Sequence, residues 1–434
     1  MRTESDSLGQ REVPGAVYWG IHTLRATENF PVSGRTVHPS WIRALAEVKL
    51  ACARAHTERG ELPADVGHAL QAAAAEVSGG ALLDQFPVDA LQGGAGTSLN
   101  MNMNEVLANR ALEMLGHQRG EYAYVHPIDH ANHGQSTNDT VPTALRIAAI
   151  RHVRELADEL AALQEALQRK EQAFAGVEKL GRTELQDAVP MTLGQEFGAW
   201  AEAIARDRWR IYKAEERLRQ VNLGGTAIGT GVGAERGYAA KAVEHLRRIT
   251  GLGLARAENL IEATSNNDVL VEVSGLLKAC AANLAKLAAD LRLLASGPRG
   301  GLGEVRLPAR QAGSSIMPGK VNPVMTEMTS QVAFEVMASD LAITLGAQAG
   351  QLQLNAFVPL MGDHLLRSMA KLTATCRLLR ERCIDGVEAD EEHCKEHLDR
   401  STARVTSLVL KVGYDEATKL AKEKLAEDDP TKVQ

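Results

Sequence analysis

The stretch "VRELADELAALQEAL" constrains this chain more than any other. Val153, Leu156, Leu160, Leu163 and Leu167 recur at steps of three, four, three and four. Residues so spaced form one stripe along an α-helix, and such a stripe is stable only when another helix covers it. Four further runs are helical over roughly 186–221, 266–296, 323 to beyond 348, and 361–384. At ~1.5 Å per residue each would be about 40 Å or longer. The pattern predicts an all-α chain whose centre, 137–394, is a bundle of five long helices. One subunit could hardly bury all five apolar faces, so association through the bundle is expected.

The flanking regions are less regular. Residues 1–40 hold Pro14, Pro31 and Pro39 among scattered glycines and read as irregular, while 41–78, beginning "WIRALAEVKLACARAH", reads as helical. "QGGAGTSLNMNMNEVLANRALEML" passes from a glycine-rich turn into a helix that Thr97 or Asn100 would cap. The expected division is an N-terminal, mostly helical part over 1–136, the bundle over 137–394, and a short charged helical tail over 395–434.

Composition agrees with helices and narrows function. Aromatic residues make up 4% of the 434 residues, and the 44% apolar content is mostly Ala, Leu and Val. A formal net charge of −7 gives no bulk attraction to nucleic acid or to a membrane surface. A mildly acidic chain that binds an anion must concentrate positive charge locally. Cys52, Cys280, Cys376, Cys383 and Cys394 are odd in number and contain no CxxC, which reads as reduced thiols of a cytoplasmic protein. The first residues, "MRTESDSLGQREVP", lack the apolar core of a signal peptide. No run of ~18 apolar residues would span a bilayer.

Three polar, glycine-containing islands interrupt the helical text: 129–140, 181–190 and 301–322. In the first, "DHANHGQSTNDTVPT", Ser136, Thr137 and Asn138 stand together at a helix start. They are either an ordinary N-cap or, with the first-turn N–H groups, an anion site built without formal charge. His130 and His133 are spaced like metal ligands, but no second ligand pair accompanies them, so no metal is expected. The third island, "EVRLPARQAGSSIMPGKVNP", places two serines, Lys320 and Asn322 within nine residues of flexible loop. Such a loop can close over a substrate; the lysine can hold a carboxylate, and a serine alkoxide held by backbone amides and that cation can act as a base. "GGTAIGTG" at 224–231 lacks the GxxxxGK[ST] of a phosphate cradle.

"GSSIMPGKVNPVMTE" resembles the signature of the aspartase/fumarase superfamily. The likeness extends to "REVPGAVYWGIHTLRATENF", "DQFPVDALQGGAGTSLNMNMNEVLAN", "QSTNDTVPTALRIA", "GRTELQDAVPMTLGQEF" and "VNLGGTAIGTGVG", nearly the whole chain except its C-terminus. Within the superfamily these segments are more similar to the aspartase branch than to fumarase. The resemblance implies a three-part helical subunit, a homotetramer around a twenty-helix core, and active sites assembled from three subunits. It implies anti-elimination of ammonia from aspartate through an aci-carboxylate intermediate, with no metal or organic cofactor. It assigns Ser314 as base on a mobile loop 301–322, with Lys320 and Asn322 stabilising charge. Thr97, Ser98, Ser136, Thr137 and Asn138 would bind the carboxylate that becomes the aci-anion, and Thr183 would face the substrate from a second subunit. The only partners implied are the amino-acid substrate and further copies of the chain.

The text departs from that pattern at Glu184, where relatives carry His or Gln against a substrate carboxylate. An ionised Glu184 at ~4 Å from that carboxylate would repel it by roughly 4 kcal/mol at an effective dielectric constant of ~20. Glu327, which in relatives supports the His, would set a second carboxylate opposite, and one of the pair would then tend to keep its proton. Either Glu184 is protonated and donates as Gln does, or the substrate offers a donor or cation there, as the substrate of an ergothionase-like lyase would, or Glu184 faces solvent. A structural homologue without activity is a further alternative, opposed by the retained Ser314, Lys320 and Asn322. The relatives' Asn-Pro before the "GYD" text is also missing, so the small third part is expected to be reduced.

Overall fold

Leu156, Leu160, Leu163 and Leu167 are fully enclosed and Val153 is 1% exposed, so the seam that dominates the sequence is the core of a helix. The computed structural model describes residues 1–406 and 408–428. The chain opens with an antiparallel hairpin, β1 (Arg2–Asp6) and β2 (Gly9–Val13), followed by α1 (Ile21–Asn29), α2 (Pro39–Glu58), α3 (Ala64–Ser78) and α4 (Thr97–Met114). Next come α5 (Thr137–Ala173), a second hairpin of β3 (Glu178–Thr183) and β4 (Gln186–Thr192), and α6 (Leu193–Leu218). Strands β5 (Gln220–Val221) and β6 (Ala255–Arg256) pair in parallel on either side of α7 (Tyr238–Thr250). They lead through α8 (Leu260–Ser265) into α9 (Asp268–Leu294). Strand β7 (Val305–Arg306), α10 (Val324–Gln348), α11 (Val358–Arg382) and β8 (Glu388–Ala389) follow. The C-terminal part holds α12 (Glu391–Arg400), α13 (Ala403–Thr406), α14 (Val409–Val412) and α15 (Tyr414–Asp428).

The five long helices are α5, α6, α9, α10 and α11, of 37, 26, 27, 25 and 25 residues. That makes them about 38–56 Å long. Residues 1–40 are more regular than their prolines suggest, because they form the first hairpin and α1. The expected helix over 41–78 is two helices. Pro39 fits the first turn of α2, where a missing N–H is no loss. The chain breaks after it at Gly60, whose φ of 70° ends the helix. The run expected from 186 becomes helical only at Leu193, because Gln186–Thr192 instead pair with Glu178–Thr183. All five cysteines are buried free thiols.

Contacts divide the chain into two units, Met1–Glu155 with Ile211–Leu277 and Met337–Ala370, and Leu156–Arg210 with Lys278–Val336 and Lys371–Gln434. The boundary falls inside each of the five long helices. In the first unit the Trp41 indole N–H donates to the Val141 carbonyl at 3.1 Å. Its ring leaves room only for a glycine at 362, where an added Cβ would lie 2.3 Å from Trp41. In the second unit Phe174, Phe197 and Trp200 pack edge to face, with centroids 5.3 and 4.8 Å apart, and Leu180 of β3 is buried with Leu398 and Ala403.

The link after β5 rests on one close approach. Gly229, at φ 91°, lies where a Cβ would meet the Ile261 N and Cα at 2.4 Å. Both the contact and the left-handed backbone exclude a side chain. Gly229→Ala should therefore destabilise the protein by about 2–4 kcal/mol. Urea unfolding at fixed protein concentration measures this, and an unchanged midpoint would contradict the close approach.

Candidate active site

In the first unit the N-termini of α4 and α5 converge. Gly96, at φ 96°, brings the start of α4 against Val141 of α5, where an added Cβ would be 2.9 Å from the valine Cγ1. Thr97 and Ser98 occupy the first turn of α4; Ser136 precedes α5, and Thr137 and Asn138 open it. Neither Thr97 nor Asn100 caps α4 by its side chain. Gln92 does so, accepting the Leu99 N–H at 2.9 Å, and the Thr97 hydroxyl donates back to Gly94 O at 2.6 Å. Ser136 and Asp139 form a capping box on α5: Ser136 Oγ accepts from Asn138 N at 3.2 Å, and Asp139 Oδ1 accepts from Ser136 N at 3.1 Å. The N-cap and anion-site readings of this island are therefore compatible. The cap orders the turn at one of two neighbouring helix N-termini, whose first-turn N–H groups carry partial positive charge.

Beneath this surface lies a polar layer that the sequence did not single out. Asn132 Oδ1 accepts from Lys49 Nζ at 3.0 Å and from both Asn100 and Asn104 Nδ2 at 3.1 Å. Lys49 also donates to Gln135 Oε1 at 2.9 Å, and Asn100 donates to Thr137 Oγ1 at 3.1 Å. Lys49 is 2% exposed, and burial pulls its ammonium down to about 8 despite the opposing pull of the Cys52 thiol and Asp139. Burial likewise pushes the Asp139 carboxyl up to about 6, against the N–H groups of Thr226, Ser136 and Gly224. The glycine-rich 224–231 stretch thus supports the start of α5, and Asn138 Nδ2 donates to Ala227 O at 2.7 Å. Two signals for this layer were present: "NMNMNE" puts Asn100 and Asn104 on one helical face, and Lys49 stands within an apolar run.

In the second unit "GRTELQDAVP" is not a loop but the turn of the β3–β4 hairpin. Thr183 pairs with Gln186, leaving Glu184 and Leu185 as a two-residue turn with φ 52° and 62°. Such primed turns favour Asn-Gly or Gly, which is why this one escaped detection; left-handed backbone in non-glycine residues costs on the order of 1–2 kcal/mol each. Thr183 and Glu184 are exposed at the tip. Among the described residues no ion pair engages Glu184, and no hydrogen bond joins Thr183 or Glu184 to Glu327 or to the 301–322 loop.

That loop is ordered around Ser314. Its Oγ accepts from Met317 N at 2.9 Å and Ile316 N at 3.2 Å. The loop closes on itself where Gly313 N donates to Lys320 O at 2.9 Å and Asn322 Nδ2 donates to Gly313 O at 2.8 Å. Only glycine fits at 313, because a Cβ would stand 2.5 Å from the Lys320 carbonyl oxygen. Ser314, Lys320 and Asn322 are therefore gathered by backbone hydrogen bonds, and Glu327 follows in the first turn of α10. A cavity of about 840 Å³ is lined by Lys320, Asn322 and Glu327 together with Arg306, Asp390 and His393.

Among the described residues one group of side chains has metal-ligand character. His133, flagged in the sequence, lies beside His56 and Glu61, with ligand atoms within 4.8 Å of one another. The Glu61 carboxylate is already engaged by His56 Nδ1 at 2.5 Å and Arg59 Nε at 2.5 Å. His130 is engaged locally, its Nδ1 accepting from His126 N at 2.8 Å.

Residues 9–338 match the model of a lyase family. The chain is 48% identical to an aspartate ammonia-lyase from a Bacillus species over 423 residues, 98% of this chain and 90% of the relative. Its fold matches the crystal structure of a fumarate lyase:delta crystallin from Brucella melitensis bound to cobalt with a TM-score of 0.95. That match is 49% identical and covers 98% of this chain and 93% of the other. A class II fumarase from Schistosoma mansoni matches with a TM-score of 0.94 at 34% identity, covering 98% of this chain and 92% of the other. The chain belongs to this lyase family, a carbon–nitrogen lyase with the all-α aspartase/fumarase fold.

The buried Lys49 makes a pH-dependent prediction. Its folded value, about 8, lies below the ordinary lysine value of 10.5. The native state therefore releases this proton first, and its contribution to stability rises as pH climbs from 8 toward 10.5. The unfolding free energy of the wild type minus that of Lys49→Met should grow by on the order of 2–3 kcal/mol between pH 7 and 10. A difference that is flat with pH, in parallel urea titrations, would show that Lys49 is not desolvated as described.

Proposed function

We propose that the protein eliminates ammonia from L-aspartate to give fumarate. The observation that carries this reading is the double backbone N–H contact on Ser314 Oγ inside a loop closed by Lys320 and Asn322, in a chain whose aspartate ammonia-lyase relative matches 98% of its length. Hydrogen bonds to a charged acceptor are worth about 1.5–3 kcal/mol each, so two of them stabilise a serine alkoxide that is otherwise too basic to form. In this mechanism the alkoxide of Ser314 takes the proton from the carbon β to the amine and α to the second carboxylate. The electron pair moves into that carboxylate as the aci-anion, the C–N bond breaks, and ammonia leaves. Thr97, Ser98, Ser136, Thr137 and Asn138 hold the developing anion through hydroxyl, amide and helix N-terminal donors, over Lys49. Lys320 and Asn322 hold charge from the loop side, and Thr183 meets the substrate from the hairpin tip.

The active form in this reading is a homotetramer with composite sites. Phe334, Leu341 and Leu345 of α10 are 62%, 61% and 50% exposed and, with Ala338, form an apolar stripe at helical spacing. Such a stripe fits another copy's bundle better than water. On the loop Ile316 is 84% exposed beside Ser314, as expected of a residue that becomes covered only in the assembly. No helix among the described residues is long and apolar enough to cross a membrane, and five reduced thiols suit a cytoplasmic enzyme.

Glu184 supports a second reading. Exposed and unpaired at the tip, it would meet a cationic or hydrogen-bond-donating group more readily than a carboxylate, as in a lyase acting on another amino-acid derivative. A panel of aspartate, malate, N-substituted aspartates and ergothioneine, with product detection, separates the two readings.

Ser314→Ala should lower kcat with aspartate by about 10²–10⁴-fold while leaving the oligomer intact. Near-normal turnover in that variant would remove Ser314 as the base. Glu184→Gln should lower the KM for aspartate roughly fivefold if repulsion operates, a change of about 1 kcal/mol. An unchanged KM and pH profile would mean that Glu184 stays in solvent.

A further inference from the structure

Glu304 stands in the stem of the loop that carries Ser314, within the second unit. Its side chain is fully enclosed. Arg182 Nη1 stands 2.7 Å from Oε1 and Lys179 Nζ 3.0 Å from Oε2, the latter an ion-pair contact rather than an aligned hydrogen bond. His397 Nδ1 lies 3.0 Å from Oε1. The backbone N–H donates to Leu294 O at 2.9 Å, and the carbonyl accepts from Asp390 N at 2.9 Å and from the Cys394 thiol at 3.5 Å. Immediately beyond, Val305 and Arg306 pair with Ala389 and Glu388.

Three segments far apart in sequence therefore meet at one carboxylate: β3, the stem of the 301–322 loop, and α12. Arg182 directly precedes Thr183 and is two residues from Glu184, so the same ion pair ties the hairpin tip to the loop stem. Burial alone would push the Glu304 carboxyl up, but Lys179, His397 and Arg182 outweigh it and hold the group below the ordinary carboxylate range. Lys179 is balanced a second time by Glu196 at 2.5 Å. The enclosed knot thus holds two cations and two anions, with His397 as an additional donor. Four charges in so enclosed a place are poor stabilisers compared with a well-packed apolar cluster. What they provide is a fixed geometry, since shifting any one member leaves a buried charge unpaired.

We propose that Glu304 is a positioning residue for the elimination, setting the stem of the Ser314 loop and the Thr183–Glu184 hairpin in one arrangement. This rests on the proposed role of the loop in catalysis. Glu304 touches no reacting atom. Its effect reaches the chemistry through the stem, ten residues from Ser314, and through Arg182 at the base of the turn. The expected signature is loss of turnover rather than of binding, because misplacement of about 1 Å at a reacting group lowers rates by up to 10²-fold.

The test is Glu304→Gln in the full chain, assayed with aspartate at a temperature where circular dichroism shows the variant folded. We expect kcat to fall by about 10–100-fold with KM changed less than about threefold, and faster tryptic cleavage after Arg306 or Arg310. Arg182→Gln should lower kcat comparably, and the double variant should be no slower than Glu304→Gln alone, because both break one contact. If Glu304→Gln does not fold, Arg182→Gln and His397→Phe are read by the same kcat and KM criteria. Turnover within twofold of wild type in the folded variants, with Ser314→Ala inactive, overturns the positioning role and leaves Glu304 purely structural. Activity persisting in Ser314→Ala overturns instead the catalytic reading of the loop.

Discussion

The need to cover apolar stripes on helices of 25 to 37 residues governs this protein. Each long helix presents a stripe that water cannot solvate favourably, at about 25 cal/mol per Å². Once the helices are packed, their middles are committed to one another, and polar chemistry is left to their ends and links. All three polar islands lie there: before α5, between α5 and α6, and between α9 and α10. On α10, Phe334, Leu341 and Leu345 stay exposed in the single chain.

At those ends the charges are few and deeply placed. The candidate surface of the first unit consists of hydroxyls, amides and helix N-termini, with Lys49 hydrogen-bonded to Asn132 and Gln135 rather than placed among them. Neutral donors of this kind are oriented by the fold before any ligand arrives, so little reorganisation opposes charge development. Burial strains the supporting charges: it lowers Lys49 and raises Asp139, and at Glu304 its upward push is outweighed by Lys179, His397 and Arg182. Each is kept charged by partners from a distant stretch of chain. Support for the candidate site and cohesion of the fold are here the same contacts.

The helices were legible because their signal is periodic and local; the buried seam of Val153 to Leu167 follows directly from its spacing. The loop residues Ser314, Lys320 and Asn322 were legible as chemistry, and the structure adds the backbone donors that gather them. What escaped depends on pairing across the sequence. The β3–β4 hairpin has no Asn-Gly at its turn, so the run from 186 looked helical until Glu178–Thr183 paired with it. Asn132 and Lys49, 83 positions apart, gain meaning only when the chain between them is folded. Gln92, rather than Thr97 or Asn100, caps α4 because Asn100 is drawn inward to Thr137 and Asn132. Glu304 gave no local sign, since its partners come from 179, 182 and 397.

The turn at Glu184 and Leu185 has a consequence for how such a protein can diversify. Its left-handed backbone is imposed by the strand register on either side, and among the described residues no ion pair holds the Glu184 side chain there. A residue whose conformation is dictated by its neighbours and whose side chain is free can be exchanged with little change to the folded scaffold. Acid, amide or imidazole at this tip would leave hairpin, loop and bundle as they are and alter only what the tip attracts. Side-chain chemistry is thus separable from architecture at a single position, and a new side chain can arise there without first destabilising the old fold.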